Sequence, residues 1–163
     1  MKYEINNGTL AIVPTDNNSS LVYEDDTRYM ISEKPYQIME DSCRYFGSTY
    51  AGRKESAKAM LGAEYKVPII VQDRDNLIVF PTTSPFSDDC IWINLKRIKS
   101  FKKIDAINTI IYFDNGKELI VPCSFRSIEN QVNRASRLDL IMRTRIENYK
   151  RSSNLDWYNK CRH

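Results

Sequence analysis

The sequence predicts an α+β fold in which antiparallel hairpins are combined with helices. The dipeptides Asn7-Gly8 and Asn115-Gly116 each stand between two strand-like apolar runs, which is typical of tight β-hairpins. Residues 125–149 instead repeat apolar side chains at steps of three and four, the period of an amphipathic helix. We therefore expect antiparallel sheets, a helix after each half of the chain, and a long C-terminal helix.

In the first half, hairpins lead into a helix that begins near Pro35. Proline is tolerated in a first helical turn, and Gly47 supplies the residue type that ends helices. The polar stretch 48–52 then separates this helix from the next. The strands are predicted at 4–6, 9–13, 20–24 and 28–32, and the helices at 35–46 and 53–61.

In the second half, six apolar runs precede the long helix. The turn residues between them, including Asn115-Gly116, predict an antiparallel order. The helix is expected to end near Tyr149, and residues 151–163 to form a frayed tail. The strands are predicted at 67–71, 76–81, 90–95, 98–104, 109–113 and 117–121.

The whole chain, 1–163, is predicted to be one domain built of two similar halves, 1–66 and 67–150. Segments 23–44 and 113–134 both read strand, acidic turn, strand and helix. An offset of 90 residues places Arg44 on Arg134. We interpret this as a pseudo-twofold internal duplication, which would suit a partner with its own approximate twofold, such as duplex DNA. Coincidence stays open, because a hairpin followed by a helix is common.

The charge is unevenly distributed, which favours a polyanionic partner. The net charge is only +3, yet residues 1–41 hold three Lys/Arg against eight Asp/Glu, and the remainder has a cationic excess. No apolar run is long enough to span a membrane, and no signal segment opens the chain, so we expect a cytoplasmic protein. The four cysteines form no CxxC pair and are expected to be free thiols.

Composition argues against an enzyme. The one histidine is His163, which leaves no Ser-His-Asp or Cys-His arrangement and no histidine-rich metal site. Neither a Walker loop nor a GxGxxG motif occurs. The paired acids, such as Asp25-Asp26, lie in turn sequences, where Asp commonly makes local hydrogen bonds. We therefore predict no catalytic residues, no cofactor and no metal.

The stretch 42–54, SCRYFGSTYAGRK, is the strongest candidate for a binding segment. It combines small residues, aromatic rings and cations more densely than any other part of the chain. Small residues allow close backbone approach, and cations neutralise anions. We predict that this segment contacts DNA through Arg44, Ser48, Thr49, Tyr50, Gly52, Arg53 and Lys54.

Two further basic clusters accompany this segment. Lys96–Lys103 is interpreted as an edge strand, where lysines discourage pairing with other chains. On the long helix, a polar stripe lies opposite the apolar one and is predicted to contact DNA through Arg126, Asn130 and Arg137, with Arg134 at its margin. Leu140 and Ile141 lie away from the apolar stripe and suggest a dimer interface, although wider burial of this helix would also explain them.

With these residues in view, the chain resembles the ComK family of competence transcription factors of low-GC Gram-positive bacteria. SCRYFGSTYAGRK at 42–54, the FPT sequence at 80–82 and FDNGKELIVPCSFRSIENQVNRASRL at 113–138 are the basis of the resemblance. It implies a nucleoid-associated activator of DNA-uptake genes that reads AT-rich boxes through the minor groove, as dimers assembling in pairs. It also implies contact with RNA polymerase and with an adaptor of a Clp protease. The chain departs from longer relatives at its C-terminus, which puts the adaptor contact in doubt.

On this interpretation, Arg53 and Lys54 line the minor groove, where hydrogen-bond readout is degenerate and groove width attracts cations. Arg44, Arg134 and Arg137 would bind the phosphate backbone. The alternative is a non-enzymatic protein-interaction module whose basic patches only promote solubility. Binding of an AT-rich duplex that a minor-groove drug abolishes would favour the first reading.

Overall fold

A computed structural model describes residues 2–162, apart from the side chains of Leu155 and Asp156, and it confirms the α+β class. Nine strands, three α-helices and one 3-10 turn follow one another along this part of the chain. They are β1 (Thr9–Pro14), β2 (Ser20–Glu24), β3 (Arg28–Ile31), α1 (Pro35–Tyr45), α2 (Tyr50–Leu61), β4 (Ile69–Gln72), β5 (Leu77–Pro81), β6 (Trp92–Asn94), a 3-10 turn (Leu95–Arg97), β7 (Ile98–Lys103), β8 (Thr109–Phe113), β9 (Glu118–Val121) and α3 (Phe125–Cys161).

The strands form two antiparallel sheets. The larger has the order β3-β2-β1-β6-β5-β4, and the smaller has the order β7-β8-β9. All five residues of β5 are buried, because α2 and α3 pack beside this part of the large sheet. Apolar residues on every position of a strand indicate cover on both faces. The core therefore centres on β5 and β6, where Phe80, Trp92 and Ile93 are fully buried.

The N-terminal hairpin is a wrong prediction, because residues 4–6 form no strand. The Asn7-Gly8 turn is present, with the amide of Thr9 bonded to the carbonyl of Asn6 at 3.0 Å. The preceding chain leaves the sheet, however, and the amide of Ile5 donates to Ser42 Oγ on α1 at 3.0 Å. Ile5 is completely buried there. Docking on α1 thus replaces the predicted strand ladder. The second hairpin, at Asn115-Gly116, forms as predicted.

Helix α3 is longer than its apolar pattern predicts. It continues from Phe125 to Cys161 rather than ending near Tyr149, so the predicted frayed tail is helical as far as Cys161, and His163 lies outside the described residues. Its 37 residues correspond to about 55 Å at 1.5 Å per residue. Among the helix positions whose burial is described, Leu138 is the last buried one, so the distal part projects beyond the core. The apolar pattern therefore runs past the buried part of α3, as far as Tyr149, but ends before the helix does.

The two meanders, β1-β2-β3 and β7-β8-β9, contain equivalent hydrogen bonds. These bonds are not part of the comparison of segments 23–44 and 113–134. Ser20 pairs with Ile31, and Thr109 pairs with Val121. The Ser20 hydroxyl donates to the carbonyl of Glu33 at 2.7 Å, and the Thr109 hydroxyl donates to that of Cys123 at 2.8 Å. Each meander leads directly into a helix. These matches favour the duplication hypothesis, which stays a prediction.

Candidate nucleic-acid interface

Segment 42–54 is a corner between two helices rather than an open loop. Gly47, with φ of 85°, lies just beyond α1, and Thr49 caps α2 by accepting a hydrogen bond from the amide of Gly52 at 3.0 Å. Helix α2 therefore begins at Tyr50, three residues before the predicted start. Arg44 and Thr49 are exposed, and Ser48 is half-buried. Capping satisfies helix amides that would otherwise lack partners.

Tyr50 does not belong to this exposed surface. Its ring is 5% exposed and packs edge-on against Tyr36 and Trp92, with centroid distances of 5.1 and 6.3 Å. Burial raises the pKa of the Tyr50 hydroxyl, and the neighbouring Tyr36 raises it further. The predicted contact of Tyr50 with DNA is thus unsupported, because the ring belongs to the core beneath α1 and α2.

The cap of α2 explains why a glycine stands at position 52. A Cβ built on it would lie 3.0 Å from Thr49 Oγ1, the atom that caps α2. The absence of a side chain therefore leaves room for the capping hydroxyl. The small residue that suggested close approach to DNA instead serves the start of the helix.

Arg53 is largely enclosed, although the sequence places it in the groove-lining set. Its side chain is 17% exposed, and Nη2 lies 3.6 Å from a carboxylate oxygen of Asp73. The buried Nε has no hydrogen-bond partner in the part of the chain that the structure describes. Burial raises the pKa of the Cys43 thiol to about 11, and the charge of Arg53 opposes that shift. Arg53 therefore lies between α1 and the β4–β5 turn.

Lys54 points the other way, into a surface hollow of about 220 Å³. The hollow lies between α2, the α2–β4 loop and the β5–β6 loop. Its walls combine two further charged groups with aromatic rings and a proline. The lining residues are Tyr50, Lys54, Glu64, Tyr65, Lys66, Val67, Ser84, Pro85 and Phe86.

The first half of α3 reaches the same area. Arg126, Asn130 and Arg137 are exposed on one face of the helix. Arg134 Nη1 donates to the carbonyl of Tyr65 at 2.9 Å, and Arg137 Nη1 donates to that of Leu61 at 3.4 Å. Both arginines thereby hold the chain that leaves α2, where exposed carbonyls attract cations. The structure thus brings the stripe of α3 beside Lys54.

Gln131 was not predicted, yet it joins three elements. It is 2% exposed, and its side-chain amide donates to the carbonyls of Lys66 at 2.8 Å and Pro81 at 2.7 Å. Tyr65 and Lys66 were missed as well. They lie in the short α2–β4 loop, which carries no motif, and only the fold places this loop beside α3. We call Lys54, Tyr65, Lys66, Arg126, Asn130, Arg134 and Arg137 the α3 surface.

The second basic cluster, Lys96–Lys103, lies at the edge of a sheet, as the sequence predicts. Strand β7 is an edge strand of the small sheet. Within the cluster, Lys96 approaches Asp139 at 3.9 Å, and Arg97 is bound between Asp25 and Asp114. Lysines on an edge strand oppose pairing with other chains.

Leu140 and Ile141 differ in their surroundings. Leu140 is 57% exposed, whereas Ile141 packs partly against the core.

No helix within residues 2–162 is both long and apolar enough to cross a membrane. Among the same residues, no group of three or more His, Cys, Asp or Glu side chains is placed to hold a metal ion.

The α3 surface, with its clustered Lys and Arg side chains, an amide and an exposed ring, has the composition typical of nucleic-acid-binding proteins. Comparison with known proteins agrees with this class. The family model described as ComK protein matches residues 1–147, and the chain belongs to this family. The competence transcription factor of Bacillus subtilis (strain 168) is 36% identical over 148 residues, which cover 89% of this chain and 77% of that protein. No solved structure matches the chain significantly.

Proposed function

We propose that the protein is a DNA-binding transcriptional regulator of competence that contacts duplex DNA through the α3 surface. Membership of the ComK family supports the regulatory role, and it suggests a non-enzymatic protein that acts in the cytoplasm, at the nucleoid. The observation that carries the proposed location is the contact of Arg134 with the carbonyl of Tyr65, which unites two basic clusters into one surface. Cations arranged along one face are what phosphate neutralisation requires.

The finer proposal is activation of DNA-uptake genes by reading AT-rich boxes in the minor groove. A narrow A-tract groove has an enhanced negative potential that attracts inserted cations. Arg126, Asn130 and Lys54 are the side chains best placed for that contact, since all three lie on the α3 surface. Arg44, Ser48 and Thr49 would contact phosphates at the margin, and Arg53 would act only through the position of α2.

Binding of fluorescent duplexes at graded salt concentrations tests this function. We expect tighter binding to an AT-rich duplex than to a mixed sequence, and displacement by a minor-groove drug. Arg126→Ala should lower the slope of log affinity against log salt by about 0.9, the contribution of one phosphate contact. Arg126 is suitable because it is exposed and makes no hydrogen bond or ion pair among the described residues.

Lys103→Ala is the matched control, because it removes one exposed cation from the edge strand β7. Its salt slope should equal that of the wild type. Equal losses in both variants would indicate a general charge effect and argue against the α3 surface. No binding to either duplex at low salt, together with retention of a protein partner, would support the interaction-module alternative.

The family resemblance also leads us to propose dimers that assemble in pairs on one promoter, contact with RNA polymerase and delivery to a Clp protease by an adaptor. Leu140, with Ile141 beside it, is the proposed dimer contact, since an exposed leucine on a projecting helix gains from burial. We assign no surface of this chain to the polymerase or to the adaptor.

A further inference from the structure

Tyr65 is an exposed aromatic side chain in the middle of the α3 surface. It is 81% exposed, more than any other large apolar or aromatic side chain among those the structure describes. Lys54 and Lys66 line the same hollow, and Arg134 binds its carbonyl oxygen. The ring therefore stands in solvent beside two lysines, where a ligand can reach its face.

The backbone beneath this ring is held on both sides. Arg134 Nη1 donates to the carbonyl of Tyr65 at 2.9 Å, and Gln131 Nε2 donates to the carbonyl of Lys66 at 2.8 Å. Lys66 has a φ of 51°, a left-handed conformation that residues with a side chain seldom adopt. Such strain persists only where surrounding contacts impose it, and here the buried Gln131 imposes it.

A rigid backbone with a protruding ring is the arrangement that wedge residues need. A wedge enters between two base pairs, partly unstacks them and bends the duplex away from the protein. A tyrosine loses little conformational entropy on insertion, because only two torsions fix its ring. Cations at its base then contact the phosphates on both sides of the bend.

We propose that Tyr65 is the wedge of this protein, inserting its ring into a base step of bound DNA. The proposal rests on the proposed DNA-binding function and adds to it the residue that enters the base stack. Gln131 and Arg134 act as positioning residues. Their side-chain nitrogens donate to the carbonyls of Lys66 and Tyr65 and thereby set the direction of the ring, so these nitrogens are not the atoms that contact DNA.

The test uses an AT-rich duplex that carries a donor and an acceptor fluorophore at its ends and 2-aminopurine at successive steps. Wild-type protein should shorten the end-to-end distance and raise the 2-aminopurine emission at one step, where stacking is lost. Tyr65→Ala should abolish both changes and weaken binding about ten-fold or more, in line with the loss of one base–aromatic contact. Tyr65→Phe should retain all three properties, because the ring face makes the contact.

Tyr45→Ala is the matched control. Tyr45 is 67% exposed at the end of α1 and lies beside Phe46, outside the α3 surface. Its variant should bind and bend DNA like the wild type. Thermal unfolding of each variant verifies the fold, which should persist because Tyr65 contributes almost no buried area.

Two results would overturn the wedge. Unchanged bending and emission in Tyr65→Ala would show that the ring lies off the DNA. An equal loss in Tyr65→Phe would show that the hydroxyl, rather than the ring, makes the contact. In both cases the wild type still binds DNA, whereas failure of the wild type to bind any duplex would refute the proposed function itself.

Discussion

Arg97 connects three separate parts of the chain through one guanidinium group. Its Nη1 donates to the carbonyl of Asn7 at 2.9 Å, and its Nη2 donates to Asp114 Oδ1 at 2.8 Å and also to Asp25. Asp25 and Asp114 lie in the turns of the two similar meanders, so one side chain bridges corresponding turns. The side chain of Arg97 is 16% exposed. It therefore fixes the small sheet against the large one.

Arg97→Met should lower the free energy of unfolding by about 1.5–3 kcal/mol, the range for hydrogen bonds to charged groups. The lower half is expected, since both aspartates are about half exposed and become hydrated. Urea denaturation measures the change. Lys103→Met on exposed β7 is the control and should stay within about 0.5 kcal/mol of the wild type. Equal stabilities of the two variants would contradict the bridging role.

The same contact makes stability depend on pH in the acid range. The hydrogen bond from Arg97 lowers the pKa of Asp25 below its usual 3.8, although burial opposes this shift. This contribution is present above the unfolded-state pKa and is lost as pH falls through the folded-state pKa. The stability advantage of wild type over Arg97→Met should therefore shrink below about pH 4. A constant difference from pH 7 to pH 2 would show that Asp25 does not contribute.

At the scale of elements, the cap decides where α2 begins. Most of the helix consists of good helix formers, but its first turn contains Tyr50 and Gly52, which are average or poor ones, so the hydrogen bond from the amide of Gly52 to Thr49 Oγ1 defines the start. The side of the helix that carries Lys54 faces the α2–β4 loop, which Arg134 and Gln131 hold from α3. Loss of the cap would loosen the first turn of α2, which carries Arg53 and directly precedes Lys54.

Thr49→Ala should therefore lower the free energy of unfolding by about 1 kcal/mol, because the amide of Gly52 loses its acceptor. Thr49→Ser keeps the hydroxyl and should retain most of the stability. The control is Ser56→Ala, at an exposed position within the same helix, where alanine should be neutral or slightly stabilising. Thermal denaturation by circular dichroism compares them, and an intact Thr49→Ala midpoint would rule out the cap as a determinant.

At the scale of the whole molecule, α3 serves two purposes along its length. Its first half joins the core through Ile128, Ala135 and Leu138, and it presents the α3 surface on the other side. Its second half extends outward, with Tyr149 73% and Trp157 68% exposed. An isolated helix gains little stability in water without a packed face. A second copy of the chain would supply such a face, beginning at Leu140.

Leu140→Glu should weaken self-association about ten-fold or more, since it places a carboxylate where a leucine would be buried. Sedimentation velocity over a range of protein concentrations measures the change. Arg145→Gln is the control, because it alters the charge by the same single unit on a different side of the exposed helix. A monomeric wild type, or equal dissociation of both variants, would remove this surface from the proposed dimer.

The sequence by itself determined the local elements and the family. Asn115-Gly116 defines its hairpin through Gly116, whose φ of 87° suits a tight turn, and Pro35 begins α1. Both features depend on neighbours a few residues away, so local patterns reveal them, although the cap at Thr49 was not recognised and α2 was predicted to begin at Arg53. The motifs that resemble the ComK family also lie in a single segment each, and the family model, which matches residues 1–147, confirms the family.

Only the tertiary structure decided which candidate residues reach the surface together. In the sequence, Tyr50 and Arg53 resemble exposed binding residues. In the structure, Tyr50 packs against Trp92 and Arg53 lies beside Asp73, and both partners are distant along the chain. Conversely, Tyr65 joins the α3 surface because Arg134, 69 residues later, binds its carbonyl. Burial and long-range hydrogen bonds depend on how elements pack, and no local pattern encodes the identity of a distant partner.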